Sequence, residues 1–244
     1  MVSIGAHMIL AINTSTAHTG LALLREDGTV LGEYSVSAGS RHFGNLMPAL
    51  HFLMFSSKSD IHELTGLVVA RGPGSFTGLR VGLSAAKGLC HALDLPVVGV
   101  SSLEALASQV PYSSLPVMPV IDSRKGEFFT ARFIWSNDQG LLRNSEDVYL
   151  KLEDFPALCK EPTLLIGNDF EGQGAPLRGI LGSSVLPAPA HLWNLRASAV
   201  GFLGLKRLQS KDFDDPRSLD PVYMRPPDIR PNLFPPAQEV EICC

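Results

Sequence analysis

Twice along this chain of 244 residues the same order of elements can be read: three strands, a helix, a strand and a helix. Residues 8–13 form a short apolar run, the pattern of a buried strand. Residues 20–25 form a second, and Asp27-Gly28 is a hairpin-type turn leading into an alternating third strand over 29–37. A helix is predicted over 41–55, where Phe43, Leu46, Met47, Leu50, Leu53 and Met54 recur at three- and four-residue steps. A strand over 67–70, a glycine-rich loop over 71–78 and a second helix over 79–93 follow. Leu79, Leu83, Ala86, Cys90 and Leu93 share one side of that helix. A strand over 97–100 leads to Ser101 and Glu104, spaced as a capping box for a short helix.

The plan then restarts. Strands are expected over 116–122, 127–135 and 141–150, a helix over 152–159, a strand over 163–167 and a closing helix over 192–208. Three antiparallel strands followed by alternating helices and strands is the ribonuclease-H-like plan. Two copies in tandem make an α/β fold of the actin-like or sugar-kinase-like (ASKHA) class. The expected division is a first lobe over 8–110 and a second over 111–225, its last helix reaching back onto the first. A proline-rich tail over 226–244 is expected to be extended or disordered.

Composition narrows the function. Hydrophobic residues make up 45% and charged residues 18%, enough apolar material for a core. No apolar run approaches the ~18–20 residues that span a bilayer, and no basic segment with a long apolar stretch opens the chain, so the expected location is the cytoplasm. The four cysteines, Cys90, Cys159, Cys243 and Cys244, form no C-x-x-C pair and read as reduced thiols. Net charge is −4 and no dense block of Lys and Arg is present, whereas a chain that grips nucleic acid alone carries a basic surplus.

The most distinctive motif is Arg71-Gly72-Pro73-Gly74-Ser75-Phe76-Thr77-Gly78-Leu79-Arg80, between a strand and a helix. Glycines permit close backbone approach, the helix start offers free N–H groups, and Ser75 and Thr77 add hydroxyls, so an anion could sit there. The spacing is neither a P-loop nor G-x-G-x-x-G, and a tight structural loop competes with the anion-site reading. Gly78, Gly82 and Ala86 lie four apart on one flank of the helix, which suits close packing against a second helix of this chain or of another. Thr14 and Ser15 follow the first strand, where folds of this plan can hold nucleotide phosphate; Asn13 supplies no charge for a metal. No two histidines sit at i, i+4, so no metal is expected. No G-x-S-x-G elbow is present, and Asp122, Arg124 and Glu127 read as a charged turn.

Residues 71–88, R-G-P-G-S-F-T-G-L-R-V-G-L-S-A-A-K-G, closely resemble the signature of the TsaB (YeaZ) family. Four further segments resemble it in order: A-I-N-T-S-T at 11–16, P-V-V-G-V-S-S-L-E-A-L-A at 96–107, I-D-S-R-K-G-E-F at 121–128 and D-P-V-Y-M-R-P at 220–226. Asn13 stands where that family usually has Asp, and Arg41 and Phe43 flank His42 where it often has His-Ser. The resemblance implies a non-catalytic scaffold in the synthesis of threonylcarbamoyladenosine, beside the anticodon of tRNA. It implies binding to the catalytic paralogue, TsaD-like, with a TsaE-like ATPase joining, and tRNA held only within the complex. A homodimer is a further expected form, with no membrane association. It implies no cofactor of the chain's own, and leaves room for ATP or ADP at the complex interface.

The family pairs through its first two helices, which carries the partner-binding role onto His42, Leu46, Leu50, Gly78, Leu79, Gly82, Leu83 and Ala86. Gly72, Pro73, Gly74, Ser75, Phe76, Thr77, Arg80, Thr14 and Ser15 are the residues that would lie near a nucleotide. An independent ATP-using phosphotransferase or ATPase of the sugar-kinase type is the alternative, and a metallopeptidase-like hydrolase the third reading.

Overall fold

The computed structural model describes residues 7–37, 45–123 and 126–225. Its first sheet holds β1 (Met8–Asn13), β2 (His18–Arg25), β3 (Val30–Ser37), β4 (Leu64–Gly72) and β5 (Val97–Ser101) in the order β3-β2-β1-β4-β5. The first three are antiparallel; β4 runs parallel to β1, and β5 parallel to β4. The second sheet repeats this with β6 (Val117–Asp122), β7 (Glu127–Thr130), β10 (Val148–Lys151), β11 (Thr163–Gly167) and β12 (Val185–Pro187), in the order β10-β7-β6-β11-β12. Both sheets therefore share one topology, which is the tandem ribonuclease-H-like arrangement expected.

The uninterrupted apolar strands follow from cover on both faces of the first sheet. Met8, Leu10, Ile12, Leu21, Leu23, Leu67 and Val69 point toward α1 (Leu46–Ser56) and α2 (Phe76–Leu93). The alternate residues Ile9, Ala11, Ala22, Leu24, Val68 and Ala70 belong to a second cluster. That cluster contains α3 (Ser102–Ala107), α5 (Ala197–Gln209) and the core of the second sheet, so one continuous apolar body joins the lobes. Helix α5 comes close because its sheet-facing residues are small: a Cβ on Gly201 would stand 2.6 Å from Leu24 Cδ1, and one on Gly204 would collide with Val68.

Several boundaries differ from expectation, each for a local reason. Helix α1 is described from Leu46, with Pro48 in its first turn, where the missing N–H costs nothing; the expected start at residues 41–44 lies outside the described residues. Helix α2 begins at Phe76 rather than 79, because the Ser75 side chain caps it by accepting from Gly78 N at 3.3 Å. The expected strand over 127–135 divides into β7 and β8 (Phe133–Ser136) around Ala131 and Arg132, and 141–150 divides into β9 (Gly140–Arg143) and β10. At both breaks the chain bonds to itself: Asn144 N donates to Arg132 O and Arg132 N to Ser145 Oγ.

The segment 152–157 is a 3-10 helix carrying Pro156. Helix α5 starts at Ala197, because the carbonyls of Leu192 and Asn194 and the N–H of Arg196 are all held by the Gln109 side chain. Its first turn is satisfied across the fold, Ser198 N donating to Glu33 Oε1 at 2.9 Å. Helix α4 (Ala175–Leu181) and β12 were not anticipated; Pro176, Gly179 and Gly182 disguise the first, and the second is three residues long. No helix among the described residues is long and apolar enough to cross a membrane.

Gly204 and Gly179 give a paired test of this packing. Gly204→Val should lower stability by about 1–3 kcal/mol through overpacking against Val68. Gly179→Ala, in a helix with nothing within 4 Å of the added Cβ, should be neutral or stabilising by up to about 1 kcal/mol. Urea unfolding of the two variants checks both.

Candidate functional site

The glycine-rich loop lies directly on the turn after β1. Ser75 N donates to Ser15 O at 2.7 Å, and Thr14 Oγ1 donates to Gly78 O at 2.7 Å. Added Cβ atoms would collide with Ser15 O at Gly74, with Thr14 O at Gly78 and with Thr14 Oγ1 at Gly82. The glycines are therefore the contact surface that admits the turn, and Thr14 and Ser15 are buried beneath it. Asn13 completes the seal, fully buried and using both ends of its amide. Its Oδ1 accepts from Ser15 N at 3.0 Å and from Ser15 Oγ at 2.8 Å, and its Nδ2 donates to Leu195 O at 2.8 Å. The hydroxyls expected near a nucleotide phosphate thus serve the chain's own packing, and the first lobe is tied to the segment that precedes α5.

A C-terminal strap over residues 214–225 holds the loop from outside. Asp214 N donates to Val97 O and Asp214 Oδ2 accepts from Gly99 N at 2.7 Å. Arg207 of α5 grips the same carboxylate, with Nη1–Oδ2 at 3.1 Å. Leu219 is buried against Gly99, Val222 N donates to Arg71 O at 2.8 Å, and Tyr223 accepts from Arg80 Nε at 3.0 Å. Arg225 Nη1 then donates to Ser123 O at 2.9 Å, joining the strap to the second lobe. Arg71, Arg80, Ser123, Val222, Tyr223 and Arg225, from three motifs far apart in sequence, come together here.

The residues expected to face a partner are placed differently. Leu46, Leu50, Leu79, Leu83 and Ala86 are buried in the chain's own core, and Gly78 and Gly82 are buried against Thr14 rather than against another helix. These side chains are therefore packed within this chain, and any side chain at Gly82 would collide with Thr14 Oγ1. His42 and Phe43 lie outside the described residues, as do Arg124 and the tail from Pro226. The outward face of α1 carries Met47 at 51% exposure, Phe52 at 59% and Phe55 at 77%. On α2 the outward positions include Arg80, Ser84 and Gly88, at four-residue spacing, and a Cβ on Gly88 would meet nothing within 4 Å. The signal for this face was in the sequence: α1 is apolar nearly all round, which a helix with one buried stripe does not need.

Other candidate chemistry is sparse. Among the described residues no group of three or more His, Cys, Asp or Glu could hold a metal. Burial pushes the Cys90 thiol up to about 11, and burial likewise raises Cys159 against the pull of Arg132, so both thiols stay protonated. Burial lowers the His18 imidazole, opposed by the Asp169 carboxylate. A depression of about 210 Å³ between the β2–β3 turn and α5 is lined by Leu24, Val30, Gln109, Arg196 and Phe202, and shares no residue with the glycine-rich loop.

The Asn13 amide is the most exacting part of the seal. In Asn13→Asp a carboxylate would face the Leu195 carbonyl without a donor, and burial would raise its folded pKa above the ordinary value. The loss of stability, about 1–3 kcal/mol, should therefore be full at neutral pH and recovered as pH falls through that raised pKa. Urea unfolding from pH 7 to pH 4 measures it; a deficit that stays constant with pH would contradict the donor role of the amide.

Comparisons with known proteins agree with this geometry. The TsaD family model, tRNA N6-adenosine threonylcarbamoyltransferase, matches residues 35–156. The tRNA threonylcarbamoyladenosine biosynthesis protein TsaB of Bacillus subtilis is 37% identical over 221 residues, covering 89% of this chain and 93% of that protein. Its namesake in Haemophilus influenzae is 33% identical, with the same coverage of 89% and 93%. Among solved structures, YeaZ from Pseudomonas aeruginosa superposes with a TM-score of 0.74 at 21% identity, over 89% of this chain and all of that one, which shows the shared fold. With the ordered motifs resolved into one loop, strap and helix pair, the chain belongs to the TsaB (YeaZ) family.

Proposed function

We propose that this chain is a non-catalytic subunit in tRNA threonylcarbamoyladenosine biosynthesis, binding a TsaD-like catalytic paralogue through the outward face of α1 and α2. The observation that carries the reading is the exposure of Met47, Phe52 and Phe55 on a helix whose opposite side is already buried. Large apolar side chains left exposed on one side of a helix support an interaction surface there. On the exposed side of α2, the small residues Ser84 and Gly88 would let a partner's helix approach closely. A stable interface on this face would bury roughly 2,000 Å² or more. The family names of the relatives and the match to the TsaD family over residues 35–156 support a partner of the same ancestry.

The sealed turn at Thr14 and Ser15 supports a role without chemistry of its own. An ATP-using phosphotransferase would need those groups turned toward a nucleotide, and here the Thr14 hydroxyl donates to Gly78 O of the loop and the Ser15 hydroxyl to Asn13 Oδ1. ATP or ADP, where the complex uses them, belongs in this reading to the interface or to a TsaE-like ATPase. The net charge of −4 fits tRNA held chiefly by the other subunits. The working location is the cytoplasm.

Gly88→Trp and Phe55→Asp test the face without touching the core. Each should keep the thermal midpoint of the free chain within about 3 °C. Each should also weaken complex formation with the paralogue by about tenfold or more in titration calorimetry. Wild-type affinity in both variants would move the interface elsewhere.

A further inference from the structure

The exposed side of α1 carries Met47, Phe52 and Phe55, whereas the exposed stripe of α2 carries a charge already set in place. Phe76, Arg80, Ser84 and Gly88 follow one another at four-residue steps along α2, so Arg80 lies on the same stripe as the open glycine. Its guanidinium carbon sits 4.0 Å from the centroid of the Phe76 ring. Its Nε donates to the Tyr223 hydroxyl at 3.0 Å, and the Tyr223 and Phe76 rings are 4.8 Å apart. Phe76 is 50% exposed and Tyr223 44%, so the stack stands at the surface.

Among the described residues the two terminal nitrogens of Arg80 have no partner. The carboxylate of the strap nearest in sequence, Asp220, pairs with Lys87 instead, at 3.6 Å. An exposed arginine ordinarily loses side-chain freedom when it engages a ligand. Here the ring contact and the tyrosine have already restricted it, and they leave the Nη1–Nη2 edge free, the edge that meets a carboxylate with two parallel hydrogen bonds.

We propose that Arg80, held by Phe76 and by Tyr223 of the strap, is a pre-set anchor for a carboxylate of the paralogous catalytic subunit. The strap thereby becomes part of the interface. This rests on the reading of the α1–α2 face as the docking surface, and adds the chemistry of the partner at its rim. A protein carboxylate fits better than an RNA phosphate. The neighbours of Arg80 on the stripe are aromatic or small, the composition of an interface anchor. Among the described residues the other nearby cations, Lys87, Arg225 and Arg71, face Asp220, Glu127 and Asp214, and they form no row that would follow a phosphate backbone.

Titration calorimetry of the full chain with the purified paralogue, at low and high salt, tests the anchor. Arg80→Met should weaken binding by about tenfold at low salt, with a smaller loss at high salt. Arg80→Lys should not restore it, since an ammonium lacks the fork. Tyr223→Phe should weaken it by about threefold, because the guanidinium remains but is no longer held. The free variants should melt as the wild type does. Unchanged affinity in Arg80→Met beside a wild type that binds would overturn the anchor and leave the docking face standing. So would an intact binary affinity with tRNA retention alone reduced, which would reassign Arg80 to phosphate. A wild type that never binds the paralogue would overturn both readings.

Discussion

The seating of Thr14 and Ser15 beneath α2 is the contact on which the rest of the molecule depends. Three glycines at 74, 78 and 82 remove the side chains that would hold the loop and helix away from the β1–β2 turn. The turn in exchange gives up its polar groups to the loop and to Asn13. Once α2 is fixed at that depth, Leu83, Ala86 and Leu89 reach the sheet and its opposite side must face outward. The contact takes Ser75 N and Gly78 O of the loop for the turn after β1.

The second consequence is a coupling of lobes through the segments that border this turn. Asn13 reaches Leu195, Gln109 gathers the 192–196 segment, and Glu33 satisfies the first turn of α5. The strap adds a link on the far side, from Arg71 and Arg80 to Ser123. Each of these bonds spans a long stretch of sequence, so the turn after β1, the glycine-rich loop and the start of α2 are tied to residues of the C-terminal half. If the proposed partner docks on α2, a surface held this way would lose little freedom on binding.

The fold was legible because strand order and burial leave a periodic trace. Met8 to Asn13, the 97–100 run and the 163–167 run each announce a strand covered on both sides, and the restart after residue 111 announces the second lobe. What was hidden has identifiable causes. Helix α4 carries Pro176 and two glycines, and β12 is too short to show a period. The polar residues that break 127–135 and 141–150 act through bonds to each other that spacing does not reveal. The site was legible in outline only. Motif spacing found the glycine-rich loop and the two helices, but could not tell which side of each helix the sheet would claim. The partner-binding role that the resemblance gives Leu46, Leu50 and Gly82 falls on residues buried within this chain, while Phe52, Phe55 and Gly88 are exposed. Tyr223 lies 143 residues from Arg80, and no local pattern links them.

The account stands or falls on whether the chain acts by holding a partner and not by chemistry of its own. The direct measurement is an omission reconstitution with tRNA, threonine, bicarbonate, ATP, the adenylate-forming enzyme, the catalytic paralogue and the ATPase, scored by mass spectrometry of digested tRNA. Threonylcarbamoyladenosine should form only when this chain and the paralogue are both present, and this chain should not replace the paralogue. Product formed equally well without this chain would contradict the scaffold role, and product formed by this chain in the paralogue's absence would assign the chemistry to this chain.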